Sequence, residues 1–364
     1  MTFVPGHRLS AHLLDVIVPD LTQEFPHLRY AAALIGRGSD VLGYDTARST
    51  DHDWGPRLVL VLSEQDHRTR AEQVLDAVEA VLPEVIAGVA VDHLPGQQIP
   101  GGPATHHTTA GRRRPHGVSV RTLQGLLSDL LGIDSLAELD PATWMSIPSQ
   151  SLLEFTAGPV LRDDVGQLSR ARAELSFYPD QIWLAVMAGW WQRIAQLEAL
   201  TGRAREADDD VGAGVIAAGI VRCGMHLALL QQRTYPPYAK WLGTALARTA
   251  GGADLLTLMR AALDARGTDQ DRAVVDVLLA LAAAHDRLGV TDQVRATPSS
   301  FFDRPYPVIW ADRFTQALRG AITDPAVRAL PRDIGSIDTI TDSTPAAADH
   351  GFRRHLRTWW REAE

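Results

Sequence analysis

Asparagine is absent from this chain of 364 residues, cysteine occurs once and lysine once, so that all but one of its 35 basic residues are arginine. A single cysteine makes no intramolecular disulfide and founds no thiolate zinc site. Cys223 lies in the apolar run VIAAGIVRCGMHLALL and reads as a small core residue. The shortage of Lys and Asn reads as drift toward GC-rich codons, under which arginine serves wherever positive charge alone is needed. Lys240 then marks a position that asks for a compact ammonium in place of a planar guanidinium, or one that the drift has passed over.

Positive charge is short overall. A net charge of −9 and a pI near 5.8 argue against nonspecific binding to nucleic acid or an anionic membrane, which need a basic field. The basic cluster RRRPH, residues 112–116, reads as a solvated loop. The N-terminus lacks a basic start followed by an apolar stretch, and no segment reads as a continuous run of 18 or so apolar residues. A cytoplasmic location is expected, with neither nucleic acid nor membrane as a partner.

What is present points to an α+β chain of two domains, residues 1–175 and 176–364. Residues 8–24 carry apolar positions at helical spacing, and Tyr30 to Ile35 is a short apolar run closed by Gly36. Strands are expected at 57–62, 84–93 and 116–122, a helix at 70–82, and a long loop at 94–116. This is a small mixed sheet with helices. From about Asp180 the patterns are long and helical, which predicts a C-terminal α-helical bundle. The last sixty residues, with GSIDTITDST from Gly335, are expected to pack back on the rest.

The stretch GRGSDVLGYDTARSTDHDWGPRL, Gly36 to Leu58, separates two apolar runs. Glycines after a strand let backbone N–H groups approach a ligand, and with the Ser39 hydroxyl they can cradle phosphate, although a Gly-Ser pair also serves as an ordinary turn. Asp51 and Asp53 are two apart, so on an extended strand their carboxylates share a side, an oxygen donor pair suited to Mg²⁺ (or Mn²⁺). Arg48 and Arg57 are candidates for triphosphate oxygens, His52 reads as structural, and Trp54 as core. In YPPYAKWLG, Pro236 and Pro237 suit the first turn of a helix, which places Tyr238 and Lys240 near its positive end, with Tyr238 and Trp241 flanking the ammonium.

A Gly-Ser turn followed by D-x-D resembles the nucleotidyltransferase superfamily associated with DNA polymerase beta. The YPPYAKWLG segment is similar to the lysine motif of aminoglycoside adenylyltransferases. With YPDQIW from Tyr178, DDVGAGV from Asp209 and the GSID segment, the chain resembles a bacterial nucleotidyltransferase-like family of unknown function. The resemblance implies an N-terminal nucleotidyltransferase domain and a C-terminal helical domain. It also implies NMP transfer from an NTP, ATP foremost, to a hydroxyl of a small molecule, aminoglycoside-like or a natural product. Asp51, Asp53 and Lys240 would then be catalytic, with Gly38, Ser39, Arg48, Arg57 and Tyr238 around the nucleotide.

A third carboxylate is expected in such enzymes. Asp92 qualifies if its run is a strand beside Asp51 and Asp53. Asp209 or Asp210 qualifies if the following helix breaks near Gly212 or Gly224, and the base stays unassigned. Two other readings compete: a protein that binds nucleotide as a sensor without transferring it, and a metal hydrolase built on the Asp51-His52-Asp53 triplet. The second is weaker because His106 and His107 lie in a loop.

Overall fold

The computed structural model describes residues 3–51, 53–92, 116–331 and 334–362. His52, His106, His107 and most of the RRRPH cluster lie outside them. The chain is α+β and divides into two compact units: residues 1–138 with 151–176, and residues 139–150 with 177–364. The interval 139–150 therefore groups with the helical unit.

The first unit begins with α1 (Gly6–Glu24), followed by β1 (Ala31–Ala33) and β2 (Arg57–Leu62). β2, RLVLVL, is buried along its whole length, as a strand without polar alternation must be. α2 (Glu64–Val81) starts at Ser63, whose hydroxyl accepts the Asp66 N–H. The expected strand over 84–93 is instead a small hairpin, β3 (Val85–Ile86) and β4 (Val89–Ala90), because Gly88 turns the chain after two residues. β5 (Gly117–Thr122) leads into α3 (Leu123–Leu131) through the capping Thr122 hydroxyl. The chain then passes through α4 (Pro141–Ser146) and α5 (Ser149–Thr156) to β6 (Val160–Asp163) and α6 (Gln167–Glu174).

The sheet order is β5-β2-β1-β6, with β2 and β5 parallel and the other pairs antiparallel. Leu13, Ile17 and Leu21 of α1, Val74 and Val78 of α2, and Leu58, Leu60 and Leu62 of β2 form its core. The loop from Gly36 to Pro56 thus leaves the end of β1 and returns to the start of β2, beside the start of β5.

In the second unit, α7 (Asp180–Leu197), α8 (Leu200–Glu206) and α9 (Asp210–Gln231) are followed by a 3-10 turn, Ala239–Trp241, and by α10 (Leu242–Ala247). Next come α11 (Gly252–Asp264), α12 (Gly267–Leu288) and a hairpin of β7 (Ser299–Phe301) and β8 (Arg304–Val308). α13 (Asp312–Ala321), α14 (Pro325–Arg328), α15 (Ile337–Ile340), α16 (Thr344–Ala348) and α17 (His350–Glu362) complete it. Trp191 of α7 stacks on Phe314 of α13 at 4.2 Å, and the Trp183 indole donates to the Leu230 carbonyl of α9 at 2.8 Å. The GSID segment packs on α7, where Gly335 lies against Gly189 with no room for a side chain on either.

α9 is continuous over 22 residues. It is long and apolar enough to cross a membrane, with a mean hydropathy of 1.8 over its most apolar window, 56% of which is buried. A search for uninterrupted apolar sequence passes over it because Arg222 and His226 break the run.

Candidate functional site

The loop from Gly36 to Pro56 is tied down by its own acids. Asp40 is 1% exposed and pairs with the 4% exposed Arg57: Nη2 lies 2.6 Å from Oδ1, and Nε lies 3.3 Å from Oδ2. The same guanidinium donates to the Arg37 carbonyl at 2.8 Å. Burial pushes the Asp40 carboxyl above its ordinary range, and Arg57 and the Val41 N–H oppose that shift. Asp45 accepts the Gly6 N–H at the start of α1 at 2.7 Å and the Trp54 indole N–H at 3.2 Å. Trp54 is buried, as expected, and stacks on Phe3. Arg57 therefore anchors the loop, which corrects its assignment to triphosphate oxygens: its Nε and Nη2 donors are taken up by Asp40 and the Arg37 carbonyl inside the unit.

These anchors fold the loop back on itself. Gly38 adopts φ +123, and a Cβ there would collide with the Asp53 carbonyl and with the Asp40 and Arg57 side chains. The Gly-Ser turn and the turn at Asp53 are thus in contact. The Ser39 carbonyl accepts the Tyr44 N–H at 2.8 Å, while its hydroxyl has no partner among the described residues. Arg48 is exposed.

Asp51 and Asp53 do not lie on a strand. Ser49–Asp51 form a 3-10 turn, Asp53 has φ +46, and β2 begins only at Arg57, so the alternation that would place two carboxylates on one side does not operate. The Asp53 carboxylate is part-exposed and has no partner among the described residues.

The candidates for a third carboxylate do not join this loop. Asp92 is exposed and follows the separate β3–β4 hairpin, because the strand beside β2 is β5, whose residues GVSVRT carry no acid. Asp209 caps α9 by accepting the Gly212 N–H at 2.7 Å, and Asp210 opens its first turn. With no break at Gly212 or Gly224, they stand roughly 33 Å along the helix from its other end, which leads to the lysine segment. Among the described residues there is no group of three or more His, Cys, Asp or Glu that could hold a metal.

The lysine segment is extended where a helix start was expected. Residues 234–238 are irregular, so Pro236 and Pro237 precede the helical turn, and Lys240 lies in the 3-10 turn before α10. Lys240 and Tyr238 are both exposed, and the ammonium stands over the Trp241 ring, 4.8 Å from its centroid.

The backbone of the segment is held closely. Pro236 accepts the Ser149 hydroxyl at 2.7 Å, Gln150 accepts the Tyr238 N–H at 3.1 Å, and Asp338 accepts the Ser149 N–H at 3.0 Å. Burial raises the Asp338 carboxyl to about 6, against the Ser149 hydrogen bonds and the charge of Arg353. The Tyr178 hydroxyl nearby is buried without a partner among the described residues, and burial pushes its pKa well above the usual phenol value. Asp40, Asp45 and Asp338 went unrecognised in the sequence because an acid with a fixed partner and a solvated one look alike there. The GSID segment stood out, but nothing in it told which residue worked.

Residues 144–242 match the family model of a domain of unknown function, DUF4037. Among solved structures, the chain is similar to a nucleotidyltransferase-like protein from Exiguobacterium sibiricum 255-15. The identity is 12% and the TM-score 0.33, over 86% of this chain and 90% of that one. No curated protein matches.

Proposed function

We propose that the protein is a Mg²⁺-dependent nucleotidyltransferase that moves a nucleoside monophosphate from an NTP, ATP foremost, to a hydroxyl of a small molecule. One observation carries the reading: the Gly-Ser turn and the acidic turn, which the sequence separates by a dozen residues, touch at Gly38 and Asp53. A phosphate cradle and a carboxylate group are useful to each other only at such range.

In this reading the N–H groups around Gly38 and the Ser39 hydroxyl hold phosphate oxygens. Asp51 and Asp53 fit Mg²⁺ or Mn²⁺ by donor type, since hard oxygen donors from one or two carboxylates are completed by water and substrate phosphate. The bound ion supplies charge neutralisation at the phosphates. Arg48 contributes positive charge toward the nucleotide, Lys240 and Tyr238 offer an exposed cation and ring of the second unit to an anion, and the acceptor is a small hydroxylated molecule. Asp40 and Arg57 hold the loop in shape.

A second reading, nucleotide binding without transfer, is favoured by the acid-free strand β5 beside β2. Isotope exchange of pyrophosphate into ATP separates the two. Exchange that depends on Mg²⁺ and disappears in Asp51→Asn with Asp53→Asn supports transfer. ATP–Mg²⁺ binding without exchange supports the sensor, and the absence of binding defeats both.

A further inference from the structure

The stitches that hold the lysine segment form a chain of command that starts at a residue remote in sequence. Asp338 of α15 accepts the Ser149 N–H at the first turn of α5. Ser149, 3% exposed, turns its hydroxyl to the Pro236 carbonyl, and the next residue, Gln150, accepts the Tyr238 N–H. Tyr238 in turn accepts the Trp241 N–H at 2.9 Å, which closes the turn that bears Lys240. Upstream, the Tyr235 ring meets Tyr178 edge-on at 4.9 Å and Phe177 at a tilt at 5.1 Å. Every link lies within the second unit.

We propose that Asp338 is a positioning residue for the lysine segment: acting through Ser149, its carboxylate holds Pro236 to Trp241 in the geometry that presents the Lys240 ammonium. The value of that geometry for phosphate binding rests on the nucleotidyltransferase reading, whereas the holding itself does not. Two observations support the assignment. The Asp338 carboxylate, half-buried, is directed at the Ser149 N–H at a helix start, where an anion is favoured. The groups that face it are Ser149 from α5, Arg353 from α17 and Tyr178 from the turn before α7, with Tyr235 beside Tyr178. Arg353 is the cation among them, and its Nε donates to the Ala347 carbonyl at 2.6 Å. Because burial raises the Asp338 pKa to about 6, its charge and with it the grip on Ser149 fall within an accessible range.

Amide hydrogen exchange of the full chain tests this, read at Tyr238 and Trp241 with α12 as an internal reference. Asp338→Ala is expected to speed exchange at these two amides about tenfold at pH 7.5, the scale of one lost hydrogen bond. Ser149→Ala, which keeps the carboxylate, is expected to do the same at Tyr238 and covers the case in which Asp338→Ala does not fold. In the wild type, exchange corrected for its intrinsic pH dependence rises as pH falls through about 6. In Asp338→Asn, which keeps an acceptor oxygen but no titrating charge, that rise is absent. Unchanged exchange in Ser149→Ala, or the same pH profile in Asp338→Asn as in the wild type, overturns the proposal. ATP–Mg²⁺ affinity is measured in parallel: a wild type that binds none retires the nucleotide reading, while faster exchange in the variants still establishes the grip.

Discussion

Between β1 and β2 the charged side chains are the scaffold. Asp40 and Arg57 are buried against each other and Asp45 holds the start of α1, while Arg37 and Arg48 share the surface with glycine, serine and the turn at Asp53. From Tyr235 to Gly243 the arrangement is reversed. Tyrosine rings and backbone hydrogen bonds make the scaffold, and the charge is carried outward on Lys240, over Trp241. Residue type alone therefore does not separate anchors from ligands, and burial decides. Arg57, the more conspicuous cation beside the acidic turn, is an anchor.

The contrast is broken most severely at Arg57. Arg57→Met strands a buried carboxylate and is expected to cost about 3–5 kcal/mol, read as a lowered urea midpoint. A variant of wild-type stability with lost ATP affinity would make Arg57 a ligand and erase the comparison. Next in size is an acid-labile element of the helical unit. His226 is stacked on Trp190 at 4.2 Å, and burial, with Arg222 acting the same way, lowers its pKa to about 3. The unfolded chain takes that proton near the ordinary value of 6.5 and the folded one only near 3. Its contribution is therefore complete above 6.5 and lost as pH falls, at about 1.4 kcal/mol per pH unit. His226→Gln is expected to remove about 2–3 kcal/mol of acid-dependent loss between pH 6.5 and 4.5, seen in chemical denaturation at each pH. Asp338, with its raised pKa, acts with the opposite sign below about 6, so the single variant has to be compared with wild type at every pH.

Smaller effects sharpen the contrast on the ligand side. Lys240→Ala is expected to weaken ATP–Mg²⁺ binding about tenfold in calorimetry with an unchanged Tm, because an exposed cation–π contact contributes only about 0.5–1 kcal/mol to folding. Ser39→Ala is expected to cost about 1 kcal/mol of nucleotide affinity and none of the stability. A loss of stability with affinity intact would return the Gly-Ser pair to an ordinary turn.

Elements that depend on local pattern were legible in the sequence. The apolar RLVLVL run is β2 residue for residue, HGVSVRT contains β5, and the helical pattern of DRAVVDVLLALAAAHDRL from Asp271 lies in α12. The loop was legible as a polar, glycine-rich insertion but not in its path. Asp51 and Asp53 leave the strand because Asp40 finds Arg57 seventeen residues on, and Asp45 finds Gly6 thirty-nine residues back. No period encodes such pairings. The same holds for Ser149 and Asp338, which meet across 189 residues.

The sheet also sets an order of events during synthesis. β1 and β2 are antiparallel neighbours closed by the candidate loop, so the side-chain anchors Asp40 with Arg57 and Asp45 with Gly6 are present once Arg57 has left the ribosome, whereas the Gly36 N–H waits for the Glu154 carbonyl. β6, which covers the other side of β1, begins about 100 residues after β2 ends, roughly 5–20 s later at ordinary rates of elongation. For that interval the three-alanine strand has an open edge, the kind that recruits stray strands, and its brevity keeps the template short. A ribosome stalled within this window would display a chain whose candidate phosphate cradle has its side-chain anchors while its sheet is still unfinished.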